Sequence, residues 1–250
     1  MKIYISVPKE TARWFFNMSN LISNSLKDLG HQLTDLQNSE VIIVIQHFPD
    51  FIKKEKGKKY ILIQTEQRSH PNLDVICYYK FADKIWSYDI DNKKEEYLVL
   101  GYHPCLEIKE QVSKVINVGF FGCNTPRRKI FFNSVICKPV GINTWDYRTK
   151  LVNIKKTKIN LNYHSYSEST YTEWDRICLI LANKSFLLSE TFYCPLKINQ
   201  FSNEKEYNEK VNYFLTHEKE REEIALRLYE EYRTKYDMRK ILEEKLKAIQ

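Results

Sequence analysis

The sequence contains no apolar run near the roughly 20 residues that a bilayer-spanning helix needs. Val41–Ile45, for one, has the length of a strand. The opening residues Met1-Lys2-Ile3-Tyr4-Ile5-Ser6-Val7 lack the long apolar stretch and small-residue cleavage site of a secretory signal, and read as a first buried strand. The expectation is a cytoplasmic protein with no transmembrane segment. Metal patterns are missing too. The six cysteines (Cys77, Cys105, Cys123, Cys137, Cys178 and Cys194) form no C-x-x-C pair, and several sit within apolar runs, so buried free thiols are expected. The six histidines form no H-E-x-x-H group. Asp89-Ile90-Asp91 has the spacing with which two carboxylates grip a divalent ion on a diphosphate, but Asn92-Lys93-Lys94 follows and marks an exposed turn. No metal and no cofactor is expected. Internal repeats and low-complexity tracts are also absent.

What remains is an ordinary globular composition. The chain has 250 residues, 43% hydrophobic and 28% charged, enough for one large domain or two smaller ones. The formal net charge of +7 would suit nucleic acid or an anionic surface, but the lysines are spread along the chain. Only Lys53–Lys59 forms a dense basic run, and its place before an apolar strand suggests a solvated loop.

Strand-like apolar runs alternate with stretches of helical period, the pattern of parallel strands joined by crossover helices. In the first half the strands are Lys2–Val7, Val41–Ile45, Tyr60–Gln64, Lys84–Tyr88 and Tyr97–Gly101, with a helix over Thr11–Leu29 closed by Gly30. Gly101-Tyr102-His103-Pro104 breaks the rhythm, which places a domain boundary there and divides the chain into residues 1–104 and 105–250. Beyond it come strands over Val115–Gly122, Lys138–Gly141, Lys158–His164 and Ser185–Glu190, and a helix over Thr172–Asn183. From Glu204 the chain reads as helical to its end, because the last 50 residues contain neither Gly nor Pro. Within that stretch Ile224, Leu228 and Tyr232 have the spacing of a helix packed on a domain face.

Ligands of open α/β sheets bind beyond the carboxyl ends of the strands. Those ends here are Gln64-Thr65-Glu66-Gln67-Arg68, Gly119–Arg128, Asn160–His164 and Ser189-Glu190-Thr191. The second sets two guanidiniums on the opening turn of a helix, where free N–H groups favour phosphate. The third puts Lys158, Asn160, Asn162 and His164 on one face of a strand and Ile159, Leu161 and Tyr163 on the other. Buried amides on such a face need partners, from a ligand or from neighbouring helix ends.

Taken in order, these segments resemble a family of glycosyltransferases, the GT-B enzymes of the CgeB/YkvP-like glycosyl transferase family 1 group. The resemblance rests on Gly119-Phe120-Phe121-Gly122 with Arg127 and Arg128, then Lys158-Ile159-Asn160-Leu161-Asn162-Tyr163-His164, Arg176-Ile177 and Phe186-Leu187-Leu188-Ser189-Glu190. It covers roughly residues 115–248. The first half matches more loosely, through Ile63–Gln67 and Trp86–Asp89.

The resemblance implies two Rossmann-like domains facing across a cleft. The short N-terminal domain would hold the acceptor, and the C-terminal domain with its terminal helices a nucleotide diphosphate sugar. It implies metal-independent transfer of that sugar to a glycan or other hydroxyl acceptor. Arg127 or Arg128, Lys158 and Arg176 are then expected at the diphosphate, Asn162, His164 and Glu190 at ribose, base or sugar hydroxyls, and Glu66 as general base. Two positions depart from the family pattern. Leu179 stands where an acidic residue is frequent, with Glu190 or Glu173 as substitutes, and Lys184 stands where Gly is common. A catalytically silent relative and a DNA-base glycosyltransferase, with nucleic acid as partner, are the alternatives.

Overall fold

The computed structural model describes residues 1–7, 9, 12–13, 15–46, 48–49, 51–65, 80–90, 94–141, 146–167 and 171–249. The chain divides into two compact units, Met1–Cys105 with Tyr236–Gln250, and Leu106–Lys235.

The first unit is built on a six-stranded sheet, all of its pairings parallel, in the order β2-β1-β3-β4-β5-β6. The strands are β1 (Lys2–Ser6), β2 (Gln32–Leu33), β3 (Val41–Ile45), β4 (Lys59–Gln64), β5 (Lys84–Ser87) and β6 (Glu96–Tyr97). β3 is buried at every position, as a strand covered on both faces must be. Helix α1 (Phe16–Asp28) buries Met18, Leu21, Ile22 and Leu26, and ends as expected at Gly30, which takes φ +78°. β6 is shorter than expected, and β2 was not expected at all. A two-residue strand carries too little alternation to register in the sequence.

The last turn of this unit comes from the far end of the chain. Gly101 passes so close to the returning backbone that an added Cβ would strike the Tyr236 carbonyl oxygen and lie 2.9 Å from the Met238 nitrogen. Tyr102 donates to the Tyr236 carbonyl and accepts from the Met238 N–H at 2.9 Å. Asp237 caps the helix that follows, and Met238, Leu242 and Leu246 are buried along it. That helix (Met238–Lys247) packs against α1, where Asp28 receives His103 Nε2 at 3.0 Å and faces Arg239 at 3.6 Å. The sequence expectation kept residues 236–250 with the second half. The difference has a local cause in Tyr236-Asp237, a cap between two helical stretches with no Gly or Pro to announce it.

The second unit carries a five-stranded parallel sheet in the order β11-β10-β9-β7-β8. Its strands are β7 (Ile116–Phe120), β8 (Val140–Gly141), β9 (Thr157–Asn162), β10 (Leu187–Glu190) and β11 (Asn199–Phe201). The helices are α2 (Pro126–Ser134), α3 (Tyr147–Lys156), α4 (Trp174–Ala182), α5 (Glu204–Thr216) and α6 (Glu218–Lys235), so Met238–Lys247 is α7. Ile159, Leu161 and Tyr163 lie in one apolar core with Val118, Phe120, Phe186 and Leu188, as the alternation of β9 required. Leu228 and Tyr232 of α6 are fully buried, and Tyr232 stacks on Trp174. Helix α3 was missed because it buries only Leu151 and Ile154, a narrow stripe in a basic segment. Lys184, at the position where glycine was expected, adopts φ +52°, so a left-handed turn is required there whichever residue supplies it.

In both sheets the second strand in chain order lies on one side of the first and the third on the other. The order therefore reverses between the first and third strands, and the carboxyl ends flanking that point are the crevices where α/β sheets take ligands.

Candidate functional site

In the second unit the crevice lies between the ends of β7 and β9. Thr125 caps α2, its hydroxyl accepting the Arg128 N–H at 3.4 Å, and Pro126 opens the helix, which sets Arg127 and Arg128 on the first turn. Arg128 is 2% exposed. Its Nε donates to the Tyr163 carbonyl at 2.9 Å, Nη1 to the Cys123 carbonyl at 3.0 Å and Nη2 to Glu173 at 3.3 Å. Arg176 enters from α4, donating from Nε to the Phe121 carbonyl at 2.7 Å and from Nη1 to Glu173 at 2.7 Å and to the Asn162 side-chain oxygen. The two guanidiniums lie 4.8 and 4.7 Å from the Phe120 ring centre. Gly122 makes this possible, since a Cβ there would come within 2.9 Å of the Arg176 guanidinium and 3.0 Å of the Phe120 ring.

Arg127 makes a two-pronged pair with Glu190, one bond at 2.9 Å, and donates to the His164 carbonyl at 2.9 Å. It also lies over the Tyr163 ring at 4.3 Å. Glu190 accepts the His164 N–H at 3.1 Å, and the Asn162 amide donates to the Ser189 hydroxyl at 2.9 Å. The imidazole of His164 is buried with neither ring nitrogen hydrogen-bonded. Its Nδ1 lies 3.8 Å from Glu173, and its ring meets Phe192 edge-on.

The charges explain one another. Burial, and then the neighbouring Arg176, pull Arg128 down to about 10, which leaves it a cation at neutral pH. Burial alone would raise the Glu173 carboxyl, but Arg176, His164 and Arg128 outweigh it and hold it below its ordinary value. Burial lowers the His164 imidazole, with Arg176 and Arg127 adding to the effect and Glu173 and Glu190 opposing it.

Of the residues singled out in the sequence, Arg127, Arg128, Asn162, His164, Arg176 and Glu190 thus meet at one edge of one sheet. Lys158 does not join them. It sits near the start of β9, four positions before Asn162, which at about 3.3 Å per residue is roughly 13 Å away. Glu66 lies outside the described residues, as does Asp91 of the D-x-D pair. Among the described residues no three metal-binding side chains cluster. Cys105, Cys123, Cys137, Cys178 and Cys194 are free thiols, but only Cys178 is buried and Cys123, in this crevice, is exposed. Cys77 is outside the described residues.

Two site residues were not assigned from sequence. Glu173, weighed only as a substitute for the acid missing at Leu179, bridges two arginines from the turn before α4, while Leu179 is 1% exposed and belongs to the core. Lys150 of α3 is held below its ordinary value by burial and senses Asp175 and Arg176. It belongs to the helix the sequence did not disclose.

At the matching edge of the first sheet the described strand ends bury uncharged polar side chains. The buried polar residues at its strand ends are Ser6, Gln64, Thr65 and Ser87, 1 to 7% exposed. Gln46, just past β3, adopts φ +73°, and its Oε1, like the Thr65 hydroxyl, is buried without a hydrogen-bond partner.

Among the described residues no helix is long and apolar enough to cross a membrane. Residues 145–247 match the family model described as glycosyl transferase-like. No curated protein matches the chain. Among solved structures, the chain is similar to an alpha-glucosyltransferase in complex with UDP and a 13-mer DNA, at 8% identity and a TM-score of 0.67, over 99% of this chain and 98% of that one. It is similar to the T4 phage beta-glucosyltransferase at 13% identity and TM-score 0.60, over 94% and 96% of the two chains. It is also similar to an alpha1,3-fucosyltransferase at 15% identity and TM-score 0.52, over 92% and 80%. Two parallel sheets in Rossmann-like arrangement, with these neighbours, make the architecture that of the GT-B transferases.

Proposed function

We propose that the protein is a glycosyltransferase that moves a sugar from a nucleotide diphosphate sugar to a hydroxyl acceptor without a metal ion. The observation that carries this reading is the convergence of Arg127, Arg128 and Arg176 at the switch point of the second sheet, beside the start of α2. Guanidiniums fixed in advance can stabilise the negative charge that gathers on a departing diphosphate, with no reorganisation at the moment of reaction. Asn162, Glu190 and Glu173 supply acceptors for ribose or sugar hydroxyls around them. The first unit takes the acceptor, and Glu66, which follows Thr65 in the sequence, removes the proton from its hydroxyl. The match of residues 145–247 to a glycosyl transferase-like family supports the same reading.

A panel of nucleotide sugars, scored for slow donor hydrolysis without acceptor and for a thermal shift, tests it. Hydrolysis of at least one donor, abolished in Arg176→Ala, is expected. A complete lack of hydrolysis and of any shift would sink the proposal. Because Cys123 is exposed in the crevice, a bound donor should also slow its alkylation.

A second reading concerns the acceptor. One similar structure is an alpha-glucosyltransferase in complex with DNA, another is a beta-glucosyltransferase described as a DNA modifying enzyme, and the net charge is +7. On this reading the hydroxyl belongs to a modified base, and duplex binding should fall steeply with salt. Salt-independent or absent binding removes it.

A further inference from the structure

Among the described residues of the crevice, His164 is a titratable group whose surroundings leave its state open. Its ring is closed off from water, and neither nitrogen has a partner. Among the described residues, the charged groups around it are already engaged. From the turn before α4, Glu173 bonds Arg176 and Arg128; from α2, Arg127 bonds Glu190 of β10. Phe192 covers the ring edge-on at 5.3 Å. The cluster counts Arg127, Arg128 and Arg176 against Glu173 and Glu190, a surplus of one positive charge. Burial disfavours the charged imidazole there, against the pull of Glu173 and Glu190.

A diphosphate brought to Arg176 reverses this balance. It adds two negative charges and competes with Glu173 for the same Nη1. Glu173, released from Arg176, already lies 3.8 Å from His164 Nδ1, within an ångström of a hydrogen bond. We propose that His164 takes up a proton when the nucleotide sugar binds, and that the imidazolium so formed holds Glu173 while the diphosphate occupies Arg176. His164 is then a positioning residue, and the site binds its anion together with a proton from solvent. This rests on the reading that the crevice holds a nucleotide diphosphate. It has a direct consequence, because binding accompanied by proton uptake weakens as pH rises.

Titration calorimetry with UDP-glucose and, in turn, GDP-mannose tests it at pH 7 in two buffers of different ionisation enthalpy, PIPES and imidazole. The doubly esterified diphosphate of these probes has no proton that titrates near neutrality, so any buffer dependence comes from the protein. The expected uptake is roughly half to one proton per ligand, with affinity falling by up to about tenfold per pH unit above neutrality. In His164→Gln the heats in the two buffers should coincide. Should that variant fail to bind, histidine-labelled wild type decides, through a ring-nitrogen shift to the protonated form on adding ligand. Binding with buffer-independent heat, or uptake undiminished in His164→Gln, overturns the proton coupling and leaves the donor site standing. No heat from either sugar overturns the donor reading and this inference with it.

Discussion

The carboxyl edges of the two sheets share a strand order and differ in how their polar groups are settled. At the second, three arginines and two glutamates are tied to one another and to the carbonyls of both switch-point loops. At the first, the buried polar side chains among the described residues are uncharged, and two of them, Gln46 and Thr65, keep a buried atom without a partner. The difference follows from cost. A charge cannot be buried alone, so a charged ligand site must be internally paired while empty. A neutral amide or hydroxyl can be left bare at a tolerable penalty and satisfied later. Substitutions at the two edges should therefore move stability in opposite directions.

The largest effect is expected from Arg128→Ala, which leaves Glu173 and two carbonyls facing an empty space. A loss of about 3–5 kcal/mol in chemical denaturation is expected. A loss under about 1 kcal/mol would place the arginine among ordinary surface cations.

Glu173→Gln should come next, at about 1–3 kcal/mol near neutrality. The native carboxyl is held below its unfolded value, so its contribution is present above the unfolded pKa of about 4.3 and fades as pH falls through the native one. Stability measured against pH should show a shallower acid limb in the variant. Identical limbs would remove Glu173 from the charge network.

At the first edge the sign should reverse. Gln46→Gly relieves a left-handed backbone, and Thr65→Val removes an unpartnered hydroxyl at nearly constant volume. Each should raise stability by about 1 kcal/mol in the same assay. Destabilisation by both would end the contrast between the edges. Smallest of all, Lys158→Ala should change stability by less than about 0.5 kcal/mol and leave any nucleotide-induced thermal shift intact, because the residue sits at the other end of its strand.

The two regions were also unequally legible in the sequence. Strand β9 announced itself through strict alternation, and the structure places its apolar set in the core and Asn162 and His164 in the crevice. Gly122 and Pro126 marked the loop and helix start that hold the arginines. Lys158 was drawn in by the family resemblance, and sharing a face with Asn162 does not bring it near, because the strand's length lies between them. Glu173 and Lys150 belong to a turn and a polar helix, where no periodicity points to a site. At the first edge Gln46 gave no signal, since a left-handed residue other than glycine is invisible to pattern reading. The return of α7 was hidden for a related reason. Its cap, Asp237, stands in a charged run that reads as continuous helix.

That return has a temporal meaning during synthesis. Ribosomes deliver the sheet of the first unit first, but its closing helix must wait for the 130 intervening residues of Leu106–Lys235. At about 5–20 residues per second the delay is on the order of 10 s, long compared with helix and hairpin formation. That window is the time in which the second unit itself is made. The first unit, although its sheet is made first, cannot gain α7 or the bonds of Tyr102 to Tyr236 and Met238 until that stretch has been made.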